Sequence, residues 1–117
     1  MVAACFIRKN TPELKELLKN LGCIYNGKAS EADQPYLYYN HGRYWEVNSK
    51  PARGFEVVDC GENENLFLAI AALRTNTDKN QWFTDGEIVE LCLDDMPSKY
   101  MQLNGHKCTV KELKNIF

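Results

Sequence analysis

Hydrophobic positions along this chain fall into three kinds of pattern, and each predicts its own kind of element. The most telling begins at Phe55-Glu56-Val57-Val58-Asp59, passes through Cys60-Gly61, and enters Leu66 to Leu73, where every residue is apolar. That order predicts a strand, a tight turn and a helix. A helix apolar all round belongs inside a domain, and this one is far shorter than the roughly 20 residues a bilayer span needs. Asn63 is placed to cap it, with Glu62 and Glu64 near its first turn and Arg74 at its end. Those charges suit the helix dipole.

A second pattern is amphipathic. Thr11-Pro12-Glu13 signals a helix start, with Thr as cap and Pro at the first helical position. Leu14, Leu17, Leu18 and Leu21 then recur at helical spacing and are expected to face inward, opposite Lys15, Glu16, Lys19 and Asn20. Gly22 closes the element. At the other end of the chain, Thr109 and Glu112 form a capping box ahead of Val110, Leu113, Ile116 and Phe117.

The third pattern is short and strand-like. Val2 to Ile7 and Cys23-Ile24-Tyr25 read as strands, and Asn26 to Gln34 as a loop. Tyr36 to Tyr39 and Arg43 to Val47 flank Asn40-His41-Gly42, a hairpin signal. Asp85-Gly86, between Gln81 to Thr84 and Glu87 to Leu93, suggests a second hairpin with a type I′ turn. Asn104-Gly105, between Tyr100 to Leu103 and His106 to Cys108, suggests a third. The sum is an α+β fold over residues 1–117 as a single domain. A mostly antiparallel sheet built from hairpins is packed by three helices, at about 12–21, 63–74 and 110–117, the middle one buried.

Composition narrows the function classes. At 117 residues the chain can bury a core without disulfides or metal. With 14 basic and 16 acidic residues and a net charge of −2, it lacks the electrostatic footprint of a general nucleic-acid binder. Cys5, Cys23, Cys60, Cys92 and Cys108 are widely spaced, with no C-x-x-C pair. That spacing argues against zinc and for reduced thiols acting as small hydrophobes. The N-terminal residues do not have the form of a signal peptide, so a cytoplasmic protein is expected, with no metal, no cofactor and no membrane contact.

Two stretches carry a family likeness. Phe6 to Leu14, and Asp59-Cys60-Gly61 through Leu66 to Arg74 followed by Gln81-Trp82-Phe83, cover roughly a third of the chain. They resemble small uncharacterised proteins encoded in bacterial phages and mobile elements. The resemblance implies an accessory protein rather than a metabolic enzyme, and it assigns no site residue.

Two kinds of chemistry compete. Cys60 sits where a strand meets a helix N-terminus, a position that can activate a thiol. It would need His41 or His106 as partner, and Asp59 and Glu62 oppose thiolate formation. Asp85, Glu87, Asp94 and Asp95 are better explained by turns than by metal binding. His106-x-Cys108 offers at most two ligands. The aromatics Tyr36, Tyr38, Tyr39, Tyr44, Trp45, Trp82 and Phe83 concentrate in two hairpins. Exposed Tyr and Trp anchor protein interfaces, and Tyr36, Tyr38, Tyr44 and Trp45 are the expected binding set. The expectation is therefore an accessory protein acting by protein–protein interaction, its partner another protein or a second copy. A Cys60-dependent hydrolase or transferase is the alternative.

Overall fold

The computed structural model describes residues 4–51, 57–74, 76–93 and 96–117. Val2, Phe55, Glu56, Asp94 and Asp95, which figure in the sequence reading, lie outside the described residues.

Five strands form the larger sheet, in the order β2-β4-β3-β1-β5. Second from one end lies β1 (Ala4–Ile7), every residue of which is buried. A strand covered on both faces is a continuous apolar run rather than an alternation, as Ala-Cys-Phe-Ile is. It pairs antiparallel with β3 (Tyr36–Asn40) and parallel with β5 (Val57–Asp59). β3 turns back into β4 (Arg43–Val47) through His41 and Gly42, at φ 49 and 78. Positive φ at both central residues is the type I′ geometry that follows strand twist. β2 (Ile24–Tyr25) adds in parallel at the outer edge of β4.

Between β1 and β2 runs α1 (Pro12–Asn20), capped by the Thr11 hydroxyl at 3.1 Å from the Leu14 amide. Between β5 and the second sheet runs α2 (Glu64–Ala71), capped by Asn63 at 3.1 Å from the Leu66 amide. Both pack on one face of the larger sheet, against Cys5, Ile7, Leu37, Tyr39 and Val58. Most of α2 is buried, but Leu68 is only half-buried, so the helix keeps one open stripe. The inward set expected of α1 also needs correction. Leu14 and Leu18 are fully buried, whereas Leu17 is 45% exposed.

The second sheet, in the order β7-β6-β8, comprises β6 (Gln81–Thr84), β7 (Val89–Cys92) and β8 (His106–Lys107). Gln81 ties it to the end of α2: its side chain accepts from the Arg74 amide at 3.1 Å and donates to the Ala72 carbonyl at 2.6 Å. One face of this sheet takes Met101 against Phe83 and Cys92. The opposite face meets α4 (Val110–Ile116) through Trp82, whose ring crosses that of Phe117 edge-on at 5.1 Å. The capping box at Thr109 and Glu112 is formed.

Two turn readings are overturned. Residues 100–103 form no hairpin strand. They lie in α3 (Lys99–Asn104), which makes a fourth helix where three were expected. Its cap is the Ser98 hydroxyl, accepting from the Met101 amide, and Gly105 is extended rather than left-handed. The Asp85-Gly86 turn is not type I′ either. Thr84 pairs with Val89, leaving four residues in the loop, and only Gly86 has positive φ. Asp85 accepts instead from the amides of Glu87 and Ile88, at 2.9 and 2.8 Å. An Asx-type side-chain turn replaces the backbone turn.

Candidate functional site

Cys60 stands where expected, between β5 and α2. Its amide donates to the Phe6 carbonyl at 2.8 Å and its carbonyl accepts from the Asn63 amide at 2.9 Å. The residue is buried, and its Sγ lies 3.9 Å from the Val58 carbonyl. Burial and a hydrogen bond with Cys60 push the neighbouring Cys5 thiol well above its ordinary pKa, and burial also raises Cys23. Neither histidine is brought to this cluster. Along β1, Phe6 pairs with Asp59 and Tyr38, so the step to Cys60 leads away from His41 at the far end of β3. His106 lies on the second sheet, its Nε2 2.9 Å from both Glu112 carboxylate oxygens. All five cysteines are free thiols. No group of His, Cys, Asp and Glu that could hold a metal occurs among the described residues.

The aromatic hairpin divides between two faces. Tyr44 points to the helix face with Tyr39, is buried, and packs against Tyr25 at 5.4 Å. It lies on the side away from the other three residues of the expected binding set. Tyr36, Tyr38 and Trp45 share the opposite face with Phe6, Val47 and Val57. There Tyr38 is only 1% exposed, with Trp45 crossing it edge-on at 5.0 Å. Tyr36 and Trp45 are half-buried, and the Arg8 guanidinium sits 5.2 Å from the Phe6 ring centre and 5.7 Å from that of Tyr36. Arg8 is also paired with Asp59 at 3.0 Å. Among the described residues, the accessible part of this face consists of the edges of Tyr36 and Trp45, part of Val47 and the Arg8 cation paired with Asp59.

A different site opens on the helix side. An open groove of about 300 Å³ runs between α1, α2 and the second sheet. Leu68 and Ala69 of α2 and its C-cap Ala72 line it on one side, with Leu17 of α1 and its C-cap Leu21 on another. Trp82 and Leu91 make the other wall, and Phe117 closes an end. Among the described residues, those of its lining that are polar are Asn20, Asn65 and Asn80, and none that is ionisable lines it. Asn80 adopts φ 63, a left-handed backbone that Asn tolerates better than most residues, and its amide donates to the Cys92 carbonyl at 2.7 Å.

Periodicity hid this groove by placing Leu17 in the core. The available signal was local: Trp82 and Phe83 are adjacent on a strand and must face opposite ways, so one of the two rings had to leave the Met101 cluster.

Comparison with protein-family models, with curated proteins and with solved structures returns no match.

Proposed function

We propose that this protein is a binding module that takes an apolar segment of a partner protein into the groove between α1, α2 and the second sheet. The observation that supports this reading is the groove itself. Its volume of about 300 Å³ falls at the small end of ordinary binding sites, which are mostly apolar with a few uncharged polar groups. Leu17 and Leu91 stand on its walls 45% and 38% exposed. Apolar residues gathered at one opening, rather than scattered singly, support an interaction site there. An accessory role in a phage or mobile element, suggested by the resemblance alone, belongs to the same proposal.

A second reading places the partner on the Tyr36 and Trp45 face, favoured by the half-exposed rings there. The Cys60 hydrolase or transferase reading has weaker support, because a buried thiol with neither histidine beside it lacks the base that nucleophilic catalysis needs. Capture of partners on tagged protein separates the two binding readings. Under the groove reading, Leu17→Glu and Leu91→Glu lose the partner while Tyr36→Ala and Trp45→Ala keep it. The reverse pattern would move the interface to the aromatic face.

A further inference from the structure

Among the described residues, β7 is an edge strand of its sheet. The Ile88 and Cys92 carbonyls accept from the β6 side, through Asp85 and Asn80. Antiparallel pairing alternates, so the peptide groups of Val89 and Leu91 point to the free edge. Both of these side chains are more than a third exposed. Natural sheets usually blunt such an edge with charge, proline or a covering element. Here it runs beside the groove, to which Leu91 belongs.

Charge selects the occupant. From Asn80 to Ser98 the chain carries Asp85, Glu87, Glu90, Asp94 and Asp95 and not one Lys or Arg. A second copy pairing through the same edge would bring two acidic segments together, which cross-strand pairing disfavours. A segment with basic flanks meets the opposite situation.

Resting on the binding-module reading above, we infer that the partner supplies an extended segment with apolar residues at alternate positions and Lys or Arg on its flanks, which adds to the free edge of β7. Its backbone takes up the Val89 and Leu91 peptide groups. Its apolar side chains, on the face shared by Trp82 and Leu91, enter the groove, and its basic ends lie against Glu87 and the acidic residues around it. This is strand addition, in which main-chain bonds give affinity and alternate pockets give specificity.

The test pans a random peptide display library on the full chain, followed by synthesis of the enriched peptide. The expected consensus alternates apolar positions between basic flanks. The peptide slows hydrogen exchange at the Val89 and Leu91 amides, weakens as salt rises, and loses affinity about tenfold when one edge-facing nitrogen is N-methylated, the loss of one or two hydrogen bonds. A groove-binding peptide that is lost in Leu17→Glu, yet tolerates N-methylation and leaves those two amides unprotected, overturns strand addition and leaves the groove reading standing. Acidic flanks in the consensus overturn the choice of occupant, as does a dimer of the free protein that already protects Val89 and Leu91. No enrichment at all, or enrichment unaffected by Leu17→Glu, overturns both readings.

Discussion

Replacing Lys15 by methionine should destabilise this protein far more than neutralising the acid it faces. Glu46 is 2% exposed, and its carboxylate meets the Lys15 ammonium at 2.6 Å and the Tyr25 hydroxyl at 2.5 Å. Gly27 lies so close that a Cβ there would strike both Tyr25 and Glu46. In Lys15→Met the carboxylate stays buried without its counter-charge, keeping the Tyr25 phenol as a donor. Breaking a buried pair from one side costs about 3–5 kcal/mol, out of a total stability of about 5–15 kcal/mol. The Lys15 side chain is 30% exposed, so water softens the loss toward the low end, about 3 kcal/mol. In Glu46→Gln the neutral side chain can still accept from Tyr25, and Lys15 can turn to solvent, which costs about 1 kcal/mol. The double variant should be more stable than Lys15→Met alone.

The same pair sets a pH signature. Burial alone would raise the Glu46 pKa, but hydrogen bonds from Lys15 and Tyr25 outweigh it and hold the group below its ordinary value. A depressed folded-state pKa gives stability that is present above the unfolded value and lost as pH falls through the folded one. Without Lys15 the largest of those hydrogen bonds and its charge attraction are gone, so the depression shrinks and the stability it contributes above the folded pKa shrinks with it. Urea unfolding at pH 7 and pH 4 should therefore show the gap between wild type and Lys15→Met shrinking on acidification. Equal costs for Lys15→Met and Glu46→Gln, or a gap constant with pH, would refute the reasoning.

Other expectations are simpler. Ile70 is fully buried, so Ile70→Asp forfeits roughly 1.5–3 kcal/mol of burial and adds an unpaired charge. It should unfold the chain, whereas Leu17→Asp, at a groove wall, should keep a cooperative melt near wild type. Burial and the Glu112 charge push the Cys108 thiol to about 11, and Cys5 and Cys23 are raised as well. Iodoacetamide should label these three slowly at pH 7 until denaturant is added, and fast labelling of the native protein would contradict their burial. Asp85 is held at about 2 by the Tyr100 hydroxyl and the amides of Ile88 and Glu87. Any stability it adds is present above its unfolded pKa and lost as pH falls toward 2. Its carboxyl resonance should titrate at higher pH in Tyr100→Phe, and an unmoved titration would remove Tyr100 as the main cause.

Elements stated by local chemistry were legible in the sequence: the caps at Thr11, Asn63 and Thr109, the left-handed glycine at Gly22, the apolar run of β1. What escaped depends on which element covers which. Leu17 satisfies the helical period, yet no element among the described residues buries it, and the small residues Ala69 and Ala72 leave the groove open beside it. Asn104-Gly105 has a turn dipeptide's chemistry, but the Ser98 cap organises the preceding residues first. Glu46 looks like a solvent-facing residue of an amphipathic strand. The Lys15 ammonium on α1 and the Tyr25 hydroxyl together make its inward position tenable. Alternation divides the tyrosines between two faces without showing that Tyr38 is buried on one and Tyr39 and Tyr44 on the other.

The chain has two tryptophans, and they fall one on each candidate surface. Fluorescence therefore reports directly on which of the two surfaces binds. In Trp45→Phe the sole reporter is Trp82 at the groove wall, and in Trp82→Phe it is Trp45 on the aromatic face. Titration of the captured partner into Trp45→Phe should shift Trp82 emission to shorter wavelength as the groove is desolvated, while Trp45 in the companion variant stays unchanged. A shift at Trp45 with Trp82 silent would contradict the account and place binding on the opposite face of the larger sheet.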